Sequence, residues 1–412
     1  MTYIEVHKCR ICGNSNLEPI LDLGEQMLTG VFPTSIESDA ATIGPLSLVK
    51  CMGGDETCGL VQLRHSYDLS EMYGVNYGYR SGLNQSMVEH LSLKVKRAIN
   101  LVTLAKNDLI IDIGSNDATT LKAYPEHEYQ LVGIDPTGLK FKEYYPKNIQ
   151  IIPDFFSSEL VKKFLPGKKA KIITSFSMFY DLEDPIAFMR EIYNVLDDHG
   201  IWIFEQSYLP EMLKTNSFDT VCHEHLEYYC LKQIDYMTKI VGFHILDVEF
   251  NSINGGSFSV TVRKSRDDDT FSPSVEKVLK DESDMGLNTL KPYQDFAKRV
   301  LLVKQALLLF IAKVKSEKKS ILALGASTKG NVLLQYCGIS SADIPFVGEV
   351  NTEKFNCYTP GSWIPIIPED DLLSMNPDYV LVLPWHFRNF FEDNIKFKNI
   401  NLVFPLPQLS EV

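Results

Sequence analysis

The densest run of chemistry-bearing side chains is CHEHLEYYCL, residues 222–231, which puts His223, Glu224 and His225 side by side in a chain with nine histidines. Such a trio can hold a metal, move protons or simply tie a turn. Metal-binding histidines on one helix face are spaced four apart. Here they are two apart, and no further histidine or carboxylate is paired with them, which weighs against a metal. Imidazole titrates near neutrality, so proton transfer and plain hydrogen bonding stay open.

A second cluster lies at the start of the chain. Four of the eight cysteines fall in the first 58 residues: Cys9 and Cys12 in CRIC, Cys51 and Cys58 in CMGGDETC. Two knuckles of this kind supply the four soft ligands of a tetrahedral zinc site. Four thiolates leave no open coordination position, so the expected zinc is structural. A short, loop-rich segment benefits from such a clamp. Cys222, Cys230, Cys337 and Cys357 are scattered and read as packing residues.

These residues need elements to position them. After a helical stretch, 82–102, the pattern turns to apolar strands separated by helices: DLIIDIGSND (108–117), YQLVGIDP (129–136), NIQIIPDFF (148–156), KIITSFSMFYDLEDP (171–185) and GIWIFEQ (200–206). That alternation predicts a doubly wound parallel sheet, with its ligand at the carboxyl ends of the first strands. Asp135 is placed for ribose hydroxyls. The later glycines of Gly-x-Gly-x-x-Gly, which let a pyrophosphate approach the backbone, are absent. An acidic loop without them suits S-adenosylmethionine, which carries a ribose and a cationic tail but no phosphate. The cofactor set expected on this reading is Asp112, Gly114, Asn116, Asp135, Pro136, Asp154 and Ser175. FHILDVEFNSINGGSFSVTVRK (243–264) then reads as two strands around an Asn-Gly-Gly turn. A closing antiparallel hairpin on a parallel sheet is the class I methyltransferase pattern.

Residues 266–316 are charged and then helical, and a second strand–turn–helix follows in SILALGASTKGNVLLQYCGI (320–339), with further strands at 345–351, 378–385 and 400–407. GASTKGN is not a Walker A loop, because its lysine precedes the last glycine. It still sets Ser327, backbone N–H groups and Lys329 at a helix N-terminus, where a phosphate binds well. VLLVKQALLLFIAKV (300–314) is interrupted by Lys304 and Gln305 and reads as a buried amphipathic helix.

The length of 412 residues allows two or three domains, and the composition is that of a globular protein: 45% hydrophobic and 23% charged. The net charge of -13 argues against general affinity for nucleic acid or anionic membranes. No apolar run has the roughly 20 residues of a membrane span. The first residues show no signal-peptide pattern, which makes the cytoplasm the expected location.

Taken together, the cysteine pairs, YGYRSGLNQSMVEH (77–90), DIGSND (112–117), GIDP (133–136), HEHLEYY (223–229), GASTKGN (325–331), YTPGSWIPI (358–366) and LPWHF (383–387) resemble the nucleotide-sugar C-methyltransferases over nearly the whole chain. The resemblance implies an α/β protein of three parts. These are a small zinc-binding domain (1–75), a central class I S-adenosylmethionine domain with a Rossmann-like sheet (76–265), and a C-terminal Rossmann-like α/β domain that helps hold the sugar nucleotide (266–412). It implies methylation of a ring carbon, C3 by expectation, of a nucleotide-linked 4-keto-6-deoxy sugar. The nucleotide would most commonly be dTDP, with GDP and CDP open, and the protein a monomer. It makes His225 the base, with Glu224 positioning the sugar or the imidazole and His223 shaping the loop or touching the acceptor. It places Tyr77 and Tyr79 in an active-site lid. Lys329, Asn331 and Tyr358 become candidates for the diphosphate, and Glu349 for a ribose or base. Two rivals share many of these features: an O-methyltransferase, and a non-catalytic sugar-nucleotide binding protein.

Overall fold

The computed structural model describes residues 3–36, 42–54, 56–68, 72 and 80–412. The N-terminal part holds β1 (Tyr3–Glu5), β2 (Leu17–Met27), β3 (Ile43–Cys51), β4 (Val61–Leu63) and β5 (His65–Tyr67). β2, β3 and β4 form an antiparallel sheet. Its fourth strand is borrowed from far along the chain, as described below.

The central part begins with α1 (Gln85–Leu101), whose cap residue Asn84 accepts from the Ser86 N–H. β6 (Leu109–Ile113), α2 (Thr119–Lys122), β7 (Gln130–Ile134), β8 (Ile149–Ile152), α3 (Ser158–Phe164), β9 (Ala170–Phe176), α4 (Pro185–Val195) and β10 (Leu196–Ser207) follow in turn. β6 is buried along its whole length, as strands covered on both faces must be. Next come α5 (Leu209–Thr215), β11 (Glu227–Tyr228), α6 (Leu231–Val241), β12 (Phe243–Asn251) and β13 (Ser257–Lys264). The seven-stranded sheet runs β12-β13-β10-β9-β6-β7-β8. β13 is antiparallel to β10 while the strands from β10 to β8 are parallel, so the expected closing hairpin is in place.

β11 is only two residues long, yet it settles how the parts join. It pairs antiparallel with β4, Glu227 opposite Gln62 and Tyr228 opposite Val61. The segment after the histidines is thus the edge strand of the N-terminal sheet.

α7 (Pro273–Asp284) still packs on the central part: Val275 lies in its core, and the Glu282 carboxylate accepts from the Leu231 and Lys232 N–H groups at 2.6 and 3.0 Å. α8 (Lys291–Ser316) buries Phe296, Val300, Val303, Leu307, Phe310, Ile311 and Val314 on one face, while Leu301, Leu302, Leu308 and Leu309 face solvent. Among the described residues no helix is long and apolar enough to cross a membrane. The C-terminal sheet comprises β14 (Ile321–Leu324), β15 (Val347–Glu349), β16 (Ile366–Pro368), β17 (Tyr379–Val382), β18 (Asn401–Phe404) and β19 (Ser410–Glu411). Its order, β16-β15-β14-β17-β18-β19, reverses beside β14. α9 (Thr328–Cys337), α10 (Glu369–Ser374) and α11 (Arg388–Asp393) complete it.

The small N-terminal part wedges against both larger ones. Cys9, Ile11, Cys51 and Leu60 share a core with Trp202, Tyr229 and Ile234. Ile20, Leu21, Leu46 and Leu48 share another with Phe296, Val300, Leu324 and Val332. The first module and the two sheets therefore bury their apolar surface together.

Candidate active site

The first binding loop leaves β6 at Gly114. Its φ of 70°, with Asn116 at 49° and Ala118 at 61°, turns the chain sharply at the carboxyl edge of the sheet. Asp112 is the one charged residue of β6 and is buried. Burial pushes its carboxyl up to about 7, against hydrogen bonds from Thr174 and Thr120. Asp135 follows β7 and organises the loop. One carboxylate oxygen accepts from the Asn116 N–H at 2.7 Å, the other from the Thr137 N–H and hydroxyl at 2.7 and 2.6 Å. A carboxylate offers about four acceptor positions, so room for a ribose hydroxyl remains. Residues 80–82 strap the outer side: the Ser81 N–H meets Asn116 Oδ1 at 3.0 Å, the Gly82 N–H meets Asp117 Oδ2 at 3.1 Å, and Arg80 Nε stands 3.8 Å from the same oxygen. A Cβ at Gly82 would come within 2.4 Å of that oxygen.

Of the other residues expected here, Pro136 continues the Asp135 turn. Asp154 is exposed, and its side chain accepts from the Phe155 N–H. Ser175 is buried, with its hydroxyl accepting from Trp202 Nε1 at 2.9 Å, so it braces the core.

The His223–Glu224–His225 trio lies in the loop before β11. His225 Nδ1 is 2.8 Å from the Thr220 carbonyl oxygen. A carbonyl only accepts, so Nδ1 carries the proton and Nε2 keeps the lone pair. The ring packs edge-on against Tyr180, with centroids 4.3 Å apart. Burial lowers its pKa to about 4, which leaves it a neutral base at neutral pH. His223 is different. It is fully buried, its ring meets Tyr67 edge-on at 4.6 Å, and neither nitrogen has a hydrogen-bond partner among the described residues. That contact makes it a packing link between the loop and the N-terminal part. Glu224 points the other way. A Cβ at Gly30 would meet its Oε1 at 2.2 Å and Thr328 Oγ1 at 3.8 Å. Its other oxygen, Oε2, is buried and accepts no hydrogen bond among the described residues, and burial raises its pKa. Glu224 thus stands where all three parts meet, with one oxygen held ready for a donor.

The C-terminal part closes this corner. Ser327 caps α9 by accepting from the Gly330 N–H at 3.1 Å. Lys329 Nζ donates to the Asn254 carbonyl in the Asn-Gly-Gly turn. Burial lowers its pKa, while the nearby Asp219 carboxylate opposes that. Asp219 is buried and accepts from Trp385 Nε1 at 2.7 Å. His386 lies beside that tryptophan, and the Lys329 charge adds to the burial that lowers its pKa to about 3. Glu349 ends β15 and accepts from the N–H groups of Val350 and Asn351. Tyr358 donates its N–H to the Pro33 carbonyl at 2.8 Å. Asn331 is fully buried and gives its amide to the Thr29 carbonyl at 2.7 Å, so it fastens the N-terminal part.

The structure therefore brings Glu224 and Thr328 to the same side of Gly30 and sets Lys329, bonded to Asn254, close enough for its charge to act on His225. Tyr77 and Tyr79 lie outside the described residues. Gly30, Gly82, Asp219 and Trp385 also take part; Gly82 and Trp385 fall inside YGYRSGLNQSMVEH and LPWHF, whereas Gly30 and Asp219 carry no local signal.

The four cysteines form one cluster. Their Sγ atoms lie within 4.8 Å of one another, with Cys9–Cys58 at 3.3 Å and Cys12–Cys51 at 3.6 Å. A tetrahedral zinc with bonds of about 2.3 Å needs sulfurs about 3.8 Å apart, so the set fits. Asn14 Nδ2 donates to Cys51 Sγ at 3.4 Å, and Gln233 of α6 holds the Cys58 carbonyl at 2.7 Å. Such outer contacts orient thiolate ligands.

The sheet order and the acidic loops at its carboxyl edge are those of a class I S-adenosylmethionine-dependent methyltransferase. Residues 9–73 match a zinc-binding-domain model, 87–248 a methyltransferase-domain model, and 252–407 the C-methyltransferase C-terminal domain. The C-methyltransferase NovU of Streptomyces niveus is 27% identical over 393 residues, covering 95% of this chain and 92% of that one. In that order the three matches and the NovU alignment make the chain similar to the C-methyltransferases. Solved structures align over less of it. The methyltransferase complexed with the Haloferax volcanii Trm112 activator is 13% identical at a TM-score of 0.36, covering 45% of this chain and 95% of that one. Magnesium protoporphyrin IX methyltransferase of Synechocystis PCC 6803 is 12% identical at 0.32, covering 44% and 79%.

Two outcomes follow from this geometry. Gly30→Ala forces the Glu224 carboxylate aside; turnover should fall by about 10²-fold, the cost of misplacing a site group by an ångström, while far-UV circular dichroism and zinc content stay unchanged. Cys58→Ser should reduce bound zinc from one per chain, read by plasma mass spectrometry, and lower Tm by several degrees, because metal affinity here is folding free energy.

Proposed function

We propose that this protein methylates a ring carbon, C3 by preference, of a nucleotide-linked 4-keto-6-deoxy sugar. The observation that carries the reading is the tautomer of His225: Nδ1–H given to the Thr220 carbonyl, and Nε2 left as a neutral base in a half-buried corner. A carbon beside a ketone becomes nucleophilic only after losing a proton, and this is the proton Nε2 takes. S-adenosylmethionine supplies the electrophilic methyl group and leaves as S-adenosylhomocysteine. His225 carries the proton while the carbon–carbon bond forms, and the ketone is restored. Glu224 accepts from a sugar hydroxyl through the oxygen that lacks a donor. Tyr77 and Tyr79, outside the described residues, are the candidates to donate to the ketone oxygen or to pack on the methyl donor.

The cofactor lies along Asp112, Gly114, Asn116, Asp135 and Pro136, with Asp154 at the adenine end. Lys329, Tyr358 and Glu349 take the nucleoside diphosphate, dTDP first, with GDP and CDP next, and Asn331 holds their wall. His223 keeps the catalytic loop in register. On this reading residues 1–75 are the zinc module, 76–265 the methyl-donor module and 266–412 the acceptor module of a cytoplasmic monomer.

Mass-spectrometric turnover with a panel of 4-keto-6-deoxy sugars on different nucleotides tests it. The expected product is heavier by one methyl, retains its ketone and appears together with S-adenosylhomocysteine. His225→Asn should lower kcat by about 10²- to 10⁴-fold with donor affinity unchanged. No product across the panel, with S-adenosylmethionine bound tightly, would exclude this acceptor class. Protonation disables the base, and burial holds its pKa near 4. The acid limb of kcat/KM should therefore fall well below the ordinary imidazole value of about 6.5. A limb at 6.5 would mean that another group is the base.

A further inference from the structure

The turn after β2 continues past Gly30 to a second contact with the acceptor module. We propose that Phe32 of the zinc-binding domain is a positioning residue that sets nucleotide affinity, holding Lys354 between the phosphate-facing loop and the ribose-facing acid of the C-terminal sheet. This rests on the nucleotide-sugar reading above.

Lys354 Nζ lies 4.6 Å from the centre of the Phe32 ring. The same ammonium donates to the Ala326 carbonyl at 2.7 Å and stands 3.9 Å from Glu349 Oε2. Ala326 belongs to the loop that leads from β14 into α9. Glu349 is the last residue of β15, the strand beside β14. In an open parallel sheet, the first loop and its helix N-terminus face the phosphates, and the acid after the second strand faces ribose hydroxyls. Lys354 therefore bridges the two positions at which a nucleoside diphosphate is held. Of its three donors, one is used in a hydrogen bond among the described residues. The Glu349 contact is too long to be a second.

The aromatic ring gives this cation a partner that does not consume a donor. A ring face attracts an ammonium electrostatically, more strongly as water is excluded. Lys354 is half-buried, and burial lowers its pKa. The ring thus keeps the ammonium charged and aimed, while its remaining donors stay available to phosphate or ribose oxygens.

Phe32 is itself held in place by the acceptor module. Met27 and the Gln335 side chain exchange two hydrogen bonds, at 2.8 and 3.2 Å, and the Asn331 amide takes the Thr29 carbonyl. The Tyr358 N–H takes the Pro33 carbonyl. Residues 27–33 are fastened on both sides of Phe32, and their partners lie on α9 and on the loop before β16. The zinc module thus forms a wall of the acceptor site.

Calorimetric titration of dTDP, GDP and CDP, and separately of S-adenosylmethionine, tests this on the full chain, with zinc counted for each protein. The wild type should bind one of the diphosphates. Phe32→Leu should weaken that diphosphate about 10-fold, keep S-adenosylmethionine within about 2-fold and retain one zinc. Phe32→Trp, which keeps a ring face, should restore the affinity. Lys354→Gln, which leaves Phe32 in place, should reproduce the selective loss. Unchanged diphosphate affinity in both Phe32→Leu and Lys354→Gln overturns the proposal and leaves the nucleotide-sugar reading standing. Parallel loss of zinc or of S-adenosylmethionine affinity also overturns it, because the turn would then be a general prop. A wild type that binds none of the three diphosphates removes the nucleotide reading and the proposal with it.

Discussion

The Glu224 carboxylate occupies the space that a side chain at residue 30 would fill. Much of the architecture follows from that contact. For Glu224 to reach it, the loop before β11 must lie against the N-terminal module, which it does by lending β11 to that module's sheet. For Gly30 to stay there, the turn after β2 must be tied to α9, which Asn331 and Gln335 do. The zinc cluster lies at the opposite end of the same sheet, where Cys51 ends β3. Three metal-independent links and one metal-dependent fold thus converge on a single carboxylate. A small module with few strands would fix such a position poorly by packing alone.

Electrostatics at this corner depend on the same closure. His225, Glu224 and Lys329 are each shifted toward their neutral forms, and burial is the first cause in every case. A neutral imidazole is useful as a base. A neutral carboxyl can still position a hydroxyl. A destabilised ammonium gains most from an incoming anion, because pairing restores the charged form. Asp219, held by Trp385, partly offsets the cost of burying Lys329. The Lys329 charge also bears on His225 and His386, so an anion that met Lys329 would be felt at both imidazoles.

The central sheet was legible in the sequence because its strands are apolar runs with a buried, period-free pattern, and the antiparallel closure was signalled by Asn-Gly-Gly. The zinc ligands were legible because knuckle spacing is local. The joins between modules were not. β11 has two residues and no periodicity to read. Asn331 sits in a loop motif that suggests a ligand, and only the fold reveals that Thr29, 302 residues away, takes its amide. Ser175 lies one residue before the end of its strand near the cofactor edge, but its hydroxyl is taken by the N–H of Trp202, two residues before its register partner Phe204. Long-range partners of polar side chains leave no mark in local composition.

The same distinction separates the two outer histidines of the trio. Both have their pKa lowered by burial to about 4. A sequence, or a titration value alone, would treat them alike. Geometry does not. His223 faces the Tyr67 ring, and among the described residues no hydrogen bond of good geometry fixes its tautomer. His225 has a carbonyl on Nδ1 and a tyrosine ring along its side, so its proton, its lone pair and its orientation are all set. A base must be aimed as well as unprotonated, because proton transfer needs hydrogen-bond reach in a fixed direction. Of these two histidines, His225 meets both conditions, which is why the proposed base is placed there.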